Sequence, residues 1–309
     1  MADQVCCVCS KPSTKTIGQR AFCDEHFETA THQRKGVWRS VWGQVIALVV
    51  FVVLVYAAEA FFKPALGQTA LMLAGVVLAV VPALIWLAFF YQQDRLEPEP
   101  KAFIASVFIL AMLVAAAIWL PLAESVFRLS KWMYADTLTT ILGGILIVGF
   151  IQEFLKYAAV RYSVYRSAEF DEATDGIVYA TAAGLGFATV LNIHFVVANG
   201  GVDLGTGVIR IAIVSLAQAS FAGITGYFLG RAKFESEPLW WMPAGLTLAA
   251  VLNGLFFWLR TEITQSTVTL TSGGSNPWYG LVLAAVLAGG TAAALAWLIR
   301  HNIKSALAA

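Results

Sequence analysis

Apolar residues run almost unbroken through eight stretches of the chain, roughly 41–62, 68–91, 102–122, 137–160, 176–197, 209–230, 239–260 and 279–300. A helix needs about 20 such residues to cross a hydrocarbon core of about 30 Å. None of the stretches has a polar face, so each reads as a membrane span rather than an amphipathic surface helix. The predicted fold class is all-α, a polytopic membrane bundle of about eight spans. Composition agrees: of 309 residues 59% are apolar and 13% charged, too little charge to cover a soluble fold of that size. Met1–Arg39 is polar and has no short apolar run before a small-residue cleavage site, so the first span is expected to serve as the insertion signal.

Net charge is only +1, but its distribution is uneven. Of the 20 Lys and Arg residues, Lys63, Arg128, Lys131, Arg210 and Arg260 fall on one side of the expected topology and the remainder on the other. The positive-inside rule then places both termini in the cytosol, which an even number of spans permits.

The polar N-terminal segment carries its own pattern. Cys6, Cys9, Cys23 and His26 form C-x2-C-x13-C-x2-H, two close ligand pairs suited to tetrahedral zinc. All four cysteines of the chain lie here, with Cys7 spare and His32 a possible substitute ligand. Gly18 suits a turn between the pairs. In a reducing cytosol metal binding is favoured over disulfides; the alternative is an unstructured arm with free thiols. Residues 1–36 are thus expected to be a cytosolic knuckle and linker, folded by its metal, with Thr29–Val37 as the link to residues 37–309. Such a closed site implies recognition of a cytosolic protein rather than chemistry.

Polar side chains within spans are costly and therefore functional candidates. The fourth span holds Gln152, Glu153 and Lys156, the last two on one helix face. Taken alone, they read as a helix end where Lys156 snorkels to the surface and Glu153 pairs with it. Asn192 and His194 in the fifth span, Arg210, Ser215, Gln218, Ser220 and Thr225 in the sixth, and Asn253 in the seventh can be explained by interhelical hydrogen bonding. Gly184, Gly186, Gly223, Gly226 and Gly230 mark close helix contacts, so spans four to seven read as a tight bundle and spans one, two and eight as peripheral. The Asp94–Pro100 segment reads as a stiff connector, and the acids of residues 171–175 as a helix cap. The chain has no Gly-rich phosphate loop, H-E-x-x-H, G-x-S-x-G or basic-aromatic nucleic-acid pattern. It also lacks the paired broken spans of a transporter.

Taken together, Phe150-Ile-Gln-Glu-Phe-Leu-Lys156, Glu169-Phe-Asp171, Asp175-Gly-Ile-Val-Tyr179, Gly184-Leu-Gly-Phe-Ala188 and Gly223-Ile-Thr-Gly-Tyr-Phe-Leu-Gly230 resemble the PrsW family of intramembrane proteases. With the Asp94–Pro100 connector, the resemblance covers about residues 90–260 and leaves the knuckle outside. It implies kinship with the membrane CAAX prenyl proteases, a bacterial plasma membrane, and cleavage of membrane-anchored proteins such as anti-sigma factors. The family pattern has a second Glu where this chain has Gln152, a Glu at Leu191, and His residues at Gln218 and Ala249. Glu153, Lys156, Asn192 and Asn253 match the pattern's remaining polar positions. The expectation is therefore a degenerate site acting as a membrane scaffold or regulatory subunit. The alternative is an active metalloprotease built on Glu153, with His194 as a second group; counting along the spans sets those two at different depths.

Overall fold

The computed structural model describes residues 5–6, 9, 11–17, 20–33, 37–62, 66–93, 101–170, 172–270 and 277–308. Cys7, Gly18, the Asp94–Pro100 connector and Asp171 lie outside them, as does the side chain of His32.

The N-terminal segment folds as an antiparallel hairpin, β1 (Lys15–Ile17) and β2 (Arg20–Phe22), followed by α1 (Asp24–Gln33). The linker expected over Thr29–Val37 is helical as far as Gln33, because α1 continues without a breaking residue. Long helices follow: α2 (Val37–Phe62), α3 (Gln68–Gln93), α4 (Lys101–Val114), α5 (Thr137–Gly143), α6 (Phe150–Ser163), α7 (Asp175–Ala198), α8 (Leu204–Phe234), α9 (Trp241–Leu270) and α10 (Pro277–Ala308). α4 runs on through π-helical turns at Ala115–Trp119 and Leu122–Val126. α5 and α6 are joined into one pass by another, Gly144–Gly149. Among the described residues, seven of these passes are long and apolar enough to cross a membrane, and Val45–Phe61 of α2 adds a shorter apolar segment. The protein is an integral membrane protein, and the passes follow the expected runs closely.

α8 is the axis of the bundle. It packs most extensively on α7, and α2, α3, α9 and α10 also touch it. Small residues bring the α7 and α8 backbones together: a methyl group at Gly226 would run into the carbonyl of Gly176, and one at Gly184 into the carbonyl of Gln218. The apolar helices expected to be peripheral therefore do not all stand apart, since α2 and α10 complete the core around Leu48, Val52, Leu216 and Ala284.

The turns are specified locally. Gly200 and Gly201 adopt φ of 64° and 109°, which lets the chain reverse between α7 and α8. Asp203 caps α8 by accepting from the Thr206 N–H, and Glu59 of α2 accepts from Leu204 and Gly205 at 3.2 and 2.5 Å. Asp136 caps α5 by accepting from Thr139, whose hydrogen bonds hold this carboxyl below the usual carboxylate range. At the opposite end of α8, Lys233 donates to the carbonyls of Tyr165 and Phe170, tying down the turn that follows α6.

Candidate functional site

Three helices bring their polar residues to one point inside the bundle. The π-turn at Gly144–Gly149 presses against α9, where Gly149 abuts the backbone of Ala250 and Gly254 abuts that of Ile145. That extra residue per turn resets the helix face just ahead of Gln152. α6 then supplies Gln152, Glu153 and Lys156, α8 supplies Gln218, and α9 supplies Asn253.

These groups form a continuous network. Lys156 Nζ donates to Glu153 Oε1 at 2.5 Å and to Gln218 Oε1 at 2.7 Å. Gln218 Nε2 donates to Gln152 Oε1 at 3.0 Å. Asn253 Nδ2 lies 2.8 Å from Glu153 Oε1 and 3.3 Å from Gln152 Oε1. Glu153 is 0% exposed and Lys156 1%. The snorkelling expected of Lys156 is therefore incorrect. Its ammonium turns inward because Gln218, 62 residues along the chain, supplies a second acceptor beside Glu153. One atom stands apart: Glu153 Oε2 is buried without a hydrogen-bond partner.

The other sequence-selected positions surround this network. Asn192 of α7 donates to the Ile211 carbonyl and to Ser215 Oγ at 3.2 and 3.3 Å, pinning α7 to α8. Ala249 is fully buried in α9. Leu191, Gln152, Gln218 and Asn253 line a cavity of about 350 Å³. At its other end are Glu124, His194, Arg210 and Arg260. His194 Nε2 lies 2.6 Å from Glu124 Oε1, so the histidine is engaged by a carboxylate that sequence reasoning had passed over. Arg260, assigned by sequence to a span end, belongs to this cavity as well. The detectable signal for both arginines was a permanent cation embedded in an apolar run.

The N-terminal ligand set also assembles. Atoms of Cys6, Cys9, Cys23 and His26 lie within 4.8 Å of one another. Cys9 and Cys23 sulfurs are 3.8 Å apart, and His26 Nδ1 is 3.2 Å from Cys23 and 3.6 Å from Cys6. Zn–S bonds of about 2.3 Å in a tetrahedron place sulfurs about 3.8 Å apart, so the set fits a metal of that size. Cys6, Cys9 and Cys23 are not in disulfides. The hairpin separates the two pairs, and Cys23 and His26 sit at the start of α1.

Fold and site define an integral membrane protein built around a buried polar cluster at the floor of an intramembrane cavity. A family profile described as PrsW family intramembrane metalloprotease matches residues 99–288, which contain that whole cluster. Protease PrsW of Geobacillus kaustophilus is 32% identical over 181 residues, 58% of this chain and 76% of that protein. Protease PrsW of Bacillus subtilis is 28% identical over 201 residues, 63% and 86% of the two chains. The chain belongs to the PrsW family. No solved structure matches it. The knuckle lies ahead of the matched segment.

A metalloprotease family implies a metal in the membrane site, and the donors around the cavity floor do not fit one. Neutral amides are poor ligands for a divalent transition metal, and Leu191 and Ala249 offer no donor atom. Glu153 is the one carboxylate of the polar cluster, and its Oε1 already accepts from Lys156 and Asn253. Among the described residues, the His/Cys/acid group with metal-binding geometry is the knuckle.

Proposed function

We propose that this chain is a catalytically degenerate PrsW-family protein, a membrane scaffold or regulatory subunit that holds the transmembrane or juxtamembrane segment of a partner in its cavity. The observation that carries this reading is the closed amide network of Gln152, Gln218 and Asn253 around the Glu153–Lys156 pair. Hydrolysing a peptide bond there requires a base to activate water, or a metal with an open coordination position. Amides at 152 and 218 cannot take up a proton, and the pair beside them is engaged in holding the helices together. A site released from catalysis can exchange buried charge for neutral groups of similar shape.

In this reading residues 1–36 are a separate module, folded by structural zinc on Cys6, Cys9, Cys23 and His26, which recruits a cytosolic protein. Residues 37–309 form the bundle, in a bacterial plasma membrane with both termini in the cytoplasm. The charge asymmetry of the loops supports that orientation.

Gln152→Glu combined with Gln218→His tests the assignment of the degenerate positions. In the full chain the pair is expected to raise the metal content above that of the parent, and an unchanged content counts against it. A second reading, an active protease cleaving membrane-anchored proteins, is favoured by the unpartnered Oε2 of Glu153, a lone pair free to act as base. Cleavage of a co-reconstituted membrane-anchored protein that disappears in Glu153→Gln, with the fold intact, would establish that second reading and overturn the first.

A further inference from the structure

The cavity is neutral at its floor and cationic at its other end. Arg210 of α8 and Arg260 of α9 both line it. The Arg210 guanidinium lies over the ring of Phe195, 3.3 Å from its centroid, and its Nη1 is buried without a hydrogen-bond partner. Among the described lining residues Glu124 is the one carboxylate, and His194 engages it. The Arg210 guanidinium therefore faces a lining whose single acid is already in use.

Arginine cannot relieve this by losing its proton. A buried cationic nitrogen without an acceptor is expensive inside a bilayer, so the site calls for an oxyanion. Depth indicates which kind. α8 has 31 residues, about 46 Å of helix at 1.5 Å per residue. It overshoots a core of about 30 Å by about 8 Å at each end. Arg210 lies six residues past Leu204, about 9 Å along the helix, at the boundary between headgroups and acyl chains. Trp119, Phe256 and Phe257 give the rest of the cavity an apolar wall.

We propose that the cavity binds a phosphate oxyanion between Arg210 and Arg260, presented by the headgroup of an anionic phospholipid whose acyl portion follows the apolar wall. Phosphate suits two guanidinium forks because several oxygens share its charge. The proposal rests on reading the cavity as a binding groove and names what its arginine end holds. It stands apart from the question of catalysis, since neither arginine belongs to the amide floor.

Binding is measured on the full chain in neutral detergent, by native mass spectrometry and by titration, with phosphatidylglycerol, phosphatidylcholine and inorganic phosphate as probes. Phosphatidylglycerol is expected to bind and phosphatidylcholine, whose choline offsets its phosphate, to bind more weakly. Arg210→Gln is expected to weaken phosphatidylglycerol binding at least about tenfold. Glu124→Gln, at an exposed position, removes the competing acid and is expected to tighten it about threefold. Competition by inorganic phosphate assigns the site to phosphate from any source; failure to compete assigns it to the lipid. Equal phosphatidylglycerol affinity in the parent and both variants overturns the proposal. So does binding of a glutamate-bearing peptide where no phosphate compound binds. If Arg210→Gln does not fold, an unchanged affinity in Glu124→Gln is sufficient to overturn it. Cleavage assayed on the same preparations separates the two readings, because lost lipid binding with cleavage still absent leaves the scaffold reading standing.

Discussion

Replacing Lys156 with Met removes one half of a fully buried ion pair and fills nearly the same volume. Glu153 then keeps Asn253 as its hydrogen-bond donor but loses its counter-charge, and Gln218 Oε1 loses the ammonium. Breaking a buried pair from one side costs roughly 3–5 kcal/mol, because a charge remains without compensation. At about 2 °C per kcal/mol for a chain of this size, the midpoint of thermal unfolding should fall by roughly 6–10 °C. Glu153→Gln alone should also destabilise, leaving the ammonium without its carboxylate. The double variant Glu153→Gln/Lys156→Met removes both charges, so its loss should be much smaller than the sum of the two singles. The assay is thermal unfolding in detergent, followed by tryptophan fluorescence, on all four proteins of the cycle. A Lys156→Met protein within about 1 kcal/mol of the parent, or strictly additive losses, would refute a buried pair and restore a lysine that reaches the membrane surface.

Two further predictions test how the helices are held. The depressed carboxyl of Asp136 contributes stability above its unfolded value of about 4 and loses it as pH falls through the lower folded value. Unfolding midpoints measured from pH 7 to 3 should therefore show a loss at the acid end that is smaller in Asp136→Asn. Gly226→Val places a branched side chain against the Gly176 carbonyl, which belongs to the backbone and cannot turn aside. A loss of about 3 kcal/mol or more, read as a lower unfolding midpoint, is expected, whereas Gly290→Val meets open space and should change little.

Much of this molecule could be read from its residues in order. Unbroken apolar runs give the spans, since crossing a bilayer is a matter of length and composition. The pairs Cys6/Cys9 and Cys23/His26 announce the knuckle by spacing alone. Gln152, Glu153, Lys156, Gln218 and Asn253 stood out because polar groups are rare in lipid, yet beyond the Glu153–Lys156 pair their spacing did not reveal that they touch. Whether Lys156 points outward or inward depends on Gln218, whose place is set by the packing of α6 on α8. The π-turn before α6 left no pattern of its own, since it arises where Gly149 meets Ala250. Glu124 and His194 meet across two helices, and Arg210 and Arg260 line the same cavity from two others, so neither local propensity nor charge counting could bring them together.

Metal content per chain tests the central claim most directly. It is measured by elemental mass spectrometry on the detergent-purified full chain and on the same chain carrying Cys23→Ser and His26→Ala. A knuckle beside a metal-free amide cluster predicts one zinc in the parent and none in the variant. A stoichiometric metal that persists in the variant would place a ligand set inside the bundle and contradict the account.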